Sequence, residues 1–231
     1  AEGASVVAGS LSISPELDEL VTDGSVTAVA VDLSGSEGPE RLIAEAGDRI
    51  DVLVNNVGLA VPRPEGFLAV TDDMWQATWD LNLMAAVRTT RAALPVMLRG
   101  GGGAIVNVAS VNARLPDPTV IDYSASKAAL VSFAKALSKE FGPRGIRVNS
   151  VDPGPVATDL WLGHDGVAAR LSQASGRTAG EIAAEAAAGM VTGRFTRPDE
   201  VADLVVVLAS GRLANVTGAD FTIDGGLVST I

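Results

Sequence analysis

The chain has 231 residues, 47% of them hydrophobic and 4% aromatic, which is enough apolar material for a sizeable core and unlike a disordered chain. Its 28 acidic and 17 basic residues leave a net charge of −11, so neither nucleic acid nor an anionic membrane surface is an expected partner. There is no cysteine, which removes disulfide and thiolate chemistry and favours a cytoplasmic location, and no apolar run is long enough to span a bilayer.

In chain order, Ala1-Glu2-Gly3 reads as the tail of a helix, followed at once by a strand near 5–9. Further short, β-branched apolar runs predict strands at 26–31, 51–54, 104–109, 146–151 and 219–223. A long helix is expected over 72–98, with Thr71 or Asp72 as its N-cap, and another over about 122–141. A third begins at Arg197-Pro198-Asp199-Glu200, with proline in the first turn and acids at the positive end of the helix dipole. Strands alternating with helices imply a parallel sheet covered on both faces. No linker or composition shift divides the chain, so 1–231 is expected to be one domain.

Ligands of such sheets bind beyond the carboxyl ends of the strands. The residues there are Gly9-Ser10, Asp32-Leu33, Asn55-Asn56-Val57-Gly58, Ser110-Val111-Asn112 and Asp152-Pro153-Gly154. Turn chemistry accounts for any one of these, but less well for five in series.

The strongest chemical signal is YSASK, from Tyr123 to Lys127. Residues four apart share one face of a helix. A free tyrosine, with a pKa near about 10, is a poor acid or base at neutral pH, and a nearby ammonium favours its phenolate. Taken alone, YxxxK describes a solvated helix face equally well. The context weighs against that: Ser110 stands at the end of a strand, Pro153-Gly154 and Thr158 follow the next one, and Asn82 lies in the apolar stretch DLNLMAAV.

With these pieces in order the chain resembles a short-chain dehydrogenase/reductase over essentially its whole length. The resemblance rests on VDL at 31–33, NNVG at 55–58, DLNL around Asn82, IVNVAS ending at Ser110, YSASK, RVNSVDPGPVAT at 147–158 and the segment 193–226. This last segment is similar to the branch that holds 3-oxoacyl carrier-protein reductases and many hydroxysteroid or sugar-alcohol dehydrogenases. The resemblance implies a Rossmann-like doubly wound fold and hydride transfer between NAD(P)(H) and a small carbonyl or alcohol. It implies Tyr123 as general acid/base, Lys127 as the group that lowers its pKa and binds the nicotinamide ribose, Ser110 on the substrate oxygen, and Asn82 holding a water that links Lys127 to solvent. It further implies cofactor contacts at Ser10, Asp32, Leu33, Asn55, Val57, Gly58, Pro153, Gly154, Val156 and Thr158, a substrate loop over 155–195, no metal, and a homodimer or homotetramer. Phe133, Ala134 and Leu137 fit either a subunit interface or sheet packing.

Two departures bear on these expectations. The family usually has alanine where this chain has Val57. Gly9, Ser10 and Leu11 offer neither an acid to repel a 2′-phosphate nor an arginine to attract one, and NADP(H) is expected ahead of NAD(H). A dinucleotide site of this fold also needs a strand, a Gly-rich turn and a helix, and no stretch of the sequence supplies them in that context. A preceding segment of roughly 30 residues is therefore expected, its strand lying between the first and third strands of this chain. A non-catalytic binding or sensor protein on the same fold is the alternative reading, and an isomerase or dehydratase is a third. Trp161 could wall the substrate site or pack in the core; Trp75 and Trp79 suit packing, and the lone His164 has no metal-ligating neighbours.

Overall fold

The computed structural model describes residues 3–22 and 24–230. The helix tail read at Ala1 and Glu2 lies outside them. Among the described residues six strands form: β1 (Val6–Ser10), β2 (Val26–Ala30), β3 (Val52–Asn55), β4 (Gly103–Val108), β5 (Ile146–Pro153) and β6 (Asp220–Ile223). All pairings are parallel, in a two-stranded sheet β1-β2 and a four-stranded sheet in the order β3-β4-β5-β6. β1 and β3, the two edges between which the expected extra strand would fall, are not paired with each other. Val52 and Val54 are each 41% exposed on one face of β3, while Leu53 and Asn55 are buried on the other.

The helices are α1 (Pro15–Thr22), α2 (Glu37–Ala46), α3 (Asp72–Trp79), α4 (Ala85–Arg99), α5 (Ile121–Phe141), α6 (Asp159–Leu162), α7 (Val167–Ser175), α8 (Ala179–Ala188) and α9 (Pro198–Ala209). Thr71 caps α3 by accepting the Met74 N–H at 3.3 Å. The long helix expected over 72–98 is not uniform. A π-helical turn, Asp80–Met84, separates α3 from α4, and Asn82 sits inside it. Wider π turns interrupt regular helices where a side chain must be re-aimed, often at functional sites.

Alternation along the strands divides the packing into two layers. Leu53, Ile105, Ile146 and Val148 face α4 and α5, where they meet Ala93, Met97, Ala134 and Leu137. Val106 and Val151 face the other way, onto Leu208 of α9. Ala134 and Leu137 are thus spent on the sheet, with Phe133 partly buried against the same layer. The segment 155–195, expected as a loop over substrate, holds three helices. α8 opens with a capping box in which Thr178 and Glu181 satisfy each other's backbone N–H groups.

Candidate active site

The amino end of α5 is tied down before Tyr123 begins. Asp122 accepts hydrogen bonds from Arg63 Nη2 at 2.6 Å, Arg63 Nε at 3.2 Å and Thr78 Oγ1 at 2.7 Å, and its other oxygen accepts the Tyr123 N–H at 3.0 Å. The side chains are 1% and 13% exposed for Asp122 and Arg63, so this is a buried ion pair with its lone pairs satisfied. Burial pushes the Asp122 carboxyl up, but the hydrogen bonds and charge of Arg63, with those of Thr78 and the Tyr123 N–H, outweigh it and hold the carboxyl below its ordinary value. A depressed folded pKa contributes stability that is present above the unfolded pKa and lost as pH falls through the folded one. Urea midpoints followed by circular dichroism should therefore drop as pH falls below about 4, and Asp122→Asn should remove that part of the acid dependence.

One turn on, Tyr123 and Lys127 share the buried face of α5, with Lys127 Nζ 5.5 Å from the centre of the Tyr123 ring. The expected lowering of the tyrosine pKa is not the net result. Burial pushes the Tyr123 phenol up, and the neighbouring Ser110 hydroxyl draws it only partly back. The reason is desolvation, which penalises the phenolate more than its surroundings stabilise it. Lys127 is 3% exposed and pushed down to about 8 by burial, with Asp152 opposing the drop. Its ammonium donates to Val108 O at 2.9 Å, the one hydrogen-bond partner it has among the described residues.

Ser110 stands two residues beyond the end of β4. Its Oγ accepts the Asn112 N–H at 3.2 Å and donates to Asn112 Oδ1 at 3.2 Å, which fixes the hydroxyl near Tyr123. Asn82, 1% exposed, reaches across to the segment after β3. Its Oδ1 accepts the Leu59 N–H at 2.9 Å, and its Nδ2 donates to Leu59 O and Thr78 O, both at 3.0 Å. That pairing presses Gly58 between Asn82 and Lys127: a Cβ at Gly58 would lie 2.7 Å from Asn82 Oδ1 and 3.1 Å from Lys127 Nζ. Only glycine fits there.

These groups open onto a cavity of about 960 Å³ beyond the carboxyl ends of β3, β4 and β5. Gly58, Ser110, Tyr123, Lys127, Pro153, Gly154, Val156 and Thr158 all line it. Leu160, Trp161, Val167 and Leu171 form an apolar wall, and Trp161 packs edge-on against Phe195 at 5.4 Å. Trp161 is therefore both a cavity wall and a packed ring. The cavity is large enough for a cofactor half and a small substrate. The hydroxyls of Ser110 and Tyr123 and the incompletely paired ammonium of Lys127 are donors suited to a ribose and a carbonyl oxygen, so the residues fit a nicotinamide cofactor.

Other expected contacts lie elsewhere. Asn55 turns inward and donates to Thr90 Oγ1 at 3.0 Å and Asn107 Oδ1 at 2.8 Å. Leu33 packs with Val29, Val31 and Ala85, with Val57 against them. Asp32 is exposed and accepts from the Ser34 N–H at 2.8 Å and Ser34 Oγ at 2.7 Å, and Ser10 closes β1. His164 is 98% exposed at its side chain beside Asp165, and no metal-ligating cluster occurs among the described residues. Trp79 packs on the layer of Leu83 and Leu130. Sequence reasoning gave no role to Arg63, Thr78 or Leu59, and marked Asn112 only as a polar residue beyond a strand end. For Leu59 no side-chain signal existed, because its contribution is backbone.

A family model described as enoyl-(acyl carrier protein) reductase matches residues 1–228. The 3-oxoacyl-[acyl-carrier-protein] reductase of Thermotoga maritima is 34% identical over 98% of this chain and 89% of its own length. L-sorbose reductase from Gluconobacter frateurii, solved in complex with NADPH and L-sorbose, superposes with a TM-score of 0.86 at 32% identity, covering 98% of this chain and 87% of that one. A Burkholderia xenovorans structure described as a short-chain dehydrogenase/reductase superposes with a TM-score of 0.88 at 31% identity, covering 100% of this chain and 87% of that one.

Proposed function

The chain belongs to the short-chain dehydrogenase/reductase family, and on that premise we propose how its own residues serve hydride transfer between a nicotinamide cofactor and a carbonyl or alcohol. It is an NAD(P)-dependent oxidoreductase. When bound, the cofactor supplies the hydride chemistry. Tyr123 gives its phenolic proton to the substrate oxygen in reduction and takes one back in oxidation. The phenol carries its proton at neutral pH as any tyrosine does, and burial pushes its pKa further up, so the proton leaves only as the substrate oxygen takes it. Ser110 binds the same oxygen and stabilises its developing charge. Lys127 offsets the charge left on the phenol and binds the ribose. Asn82 is a positioning residue, since it holds Leu59 and through it Gly58 against Lys127. Pro153, Gly154, Val156 and Thr158 hold the nicotinamide end, and Ser10 and Asp32 the adenosine end. The observation that carries this reading is the convergence of Ser110, Tyr123 and Lys127 on one cavity at the strand ends.

The whole chain acts as one domain in which 155–195 covers the substrate. Its apolar wall around Trp161 favours a small carbonyl compound with an apolar substituent. A cytoplasmic homodimer or homotetramer completes the reading. NADP(H) is the preferred cofactor, in keeping with the NADPH-bound sorbose reductase and the lack of an acid at Gly9-Ser10. The test is a comparison of kcat/KM with NADPH and NADH before and after Ser10→Asp. The new carboxylate should shift the ratio against NADPH by about tenfold or more, because like charges brought together cost several kcal/mol. An unchanged ratio would remove Ser10 from the cofactor site.

A further inference from the structure

One buried charge has no part in the chemistry derived so far. Asp152, in β5, is 0% exposed, and neither of its carboxylate oxygens accepts a hydrogen bond among the described residues. A buried carboxylate without partners is costly, so it needs a compensating charge. Arg114 supplies only part of one. Its Nε is 3.6 Å from Asp152 Oδ2, while its Nη2 is committed to Asp220 at 2.9 Å, and its side chain is 48% exposed.

Strand geometry indicates where the rest comes from. Asp152 shares the parity of Val148, which packs in the α5 layer, so its side chain faces that helix. Lys127 lies on the buried face of α5 and donates to Val108 O, and Val108 is in register with Val151, the residue before Asp152. The carboxylate and the ammonium thus enter the same layer at the same level of the sheet. Asp220 is in register with Ser150 on the same face, so Arg114 and Asp220 stand on the more exposed side of Asp152 and Lys127 on the buried side.

We propose that Asp152 is a positioning residue for Lys127: its carboxylate is the counter-charge that keeps the buried lysine an ammonium held against the Val108 carbonyl. The groups that act on this pair are Tyr123 on α5, Arg114 after β4 and Asp220 on β6, and each of the two charges acts on the other. Lys127 sits at about 8 with Asp152 holding it up against desolvation. Asp152 is raised to about 6 by burial and by Asp220, while Arg114 and Lys127 pull it down. The inference rests on Lys127 serving the reaction, but its test reads the lysine itself and does not depend on turnover.

The test is an NMR pH titration of 13Cε-lysine in the full chain without cofactor. There are three lysines, Lys127, Lys135 and Lys139, so Lys135→Arg and Lys139→Arg leave Lys127 as the only signal. Asp152→Asn keeps the shape and removes the charge, and the Lys127 midpoint should move down by about one pH unit. Because a lowered lysine pKa means the ammonium is lost as pH rises, the alkaline limb of kcat/KM should move down with it, while KM for the carbonyl substrate stays near its original value at pH 6. In the unaltered Asp152 protein the Lys127 signal should also carry a smaller inflection near pH 6, where Asp152 takes up its proton. That second observation stands even if Asp152→Asn does not fold. A folded Asp152→Asn with an unmoved Lys127 midpoint, or a Lys127 signal without the inflection, would assign Asp152 to Arg114 alone and overturn the proposal.

Discussion

Tyr123→Phe is expected to lower kcat for carbonyl reduction by about two to four orders of magnitude while leaving the fold intact. The ring is 9% exposed, and phenylalanine fills the same space, so packing is preserved. What disappears is the phenolic hydroxyl, protonated at neutral pH as in any tyrosine and placed on the cavity with Ser110 and Lys127. Ser110 keeps its bonds to Asn112 and can still bind a substrate oxygen, so substrate and cofactor affinity should change by less than about threefold. The measurement is initial-rate nicotinamide absorbance together with a direct binding titration. Loss of turnover with retained binding is the signature of a group used in the transition state. Undiminished reduction by the variant would defeat the acid/base assignment and reopen the reading of the chain as a binding or sensor protein.

Asn82→Ala should destabilise the protein by about 2–4 kcal/mol, the larger of the stability effects expected here. The amide makes three buried hydrogen bonds, and alanine leaves the Leu59 N–H, Leu59 O and Thr78 O without them. Each unsatisfied buried group costs about 1–3 kcal/mol, less whatever water recovers. The variant should lower the urea midpoint without changing the m-value. The same change frees Gly58 from its place beside Lys127, so activity should fall even at temperatures where the variant is fully folded. Asn82→Asp is a sharper comparison, because it keeps the acceptor for Leu59 N–H but puts a second acceptor where Leu59 O and Thr78 O need a donor. An unfolding free energy within about 0.5 kcal/mol of the parent protein for Asn82→Ala would mean the π turn is held by its backbone alone.

The strands were legible because each is a short, β-branched apolar run closed by polar or glycine residues, although only β4 and β5 are buried on both faces. Their observed spans differ from the expected ones by one or two residues, most at β5, which runs on to Pro153. The π turn was not legible. Nothing in DLNLM distinguishes it from ordinary helix, and it forms where Asn82 meets the Leu59 backbone, far away in sequence. The helices within 155–195 leave a local trace in the Thr178 and Glu181 spacing of a capping box, just before an alanine-rich run. The expected roles of Leu33 and Asn55 came from the family resemblance, which places them at strand ends but does not say where their side chains point. Where each side chain points depends on the layer that covers it: Leu33 meets Val29, Val31 and Ala85, and Asn55 meets Thr90 and Asn107.

The sequence by itself determined the parallel α/β plan and the placing of Tyr123 and Lys127 on one helix face, because these follow from periodicity along a single element. It also determined that Ser110 would stand at the end of a strand. Tertiary structure alone decided the electrostatics of the site. Whether Tyr123 is driven up or down depends on how much water its burial removes, and that is a property of the packed layers. The ion pair of Arg63 with Asp122, the hold of Asn82 on Leu59 and the burial of Asp152 near Lys127 join residues 23 to 59 positions apart, or lie on different elements altogether. Local patterns cannot encode such pairings, because their energies exist only once the chain has folded and excluded solvent from between them.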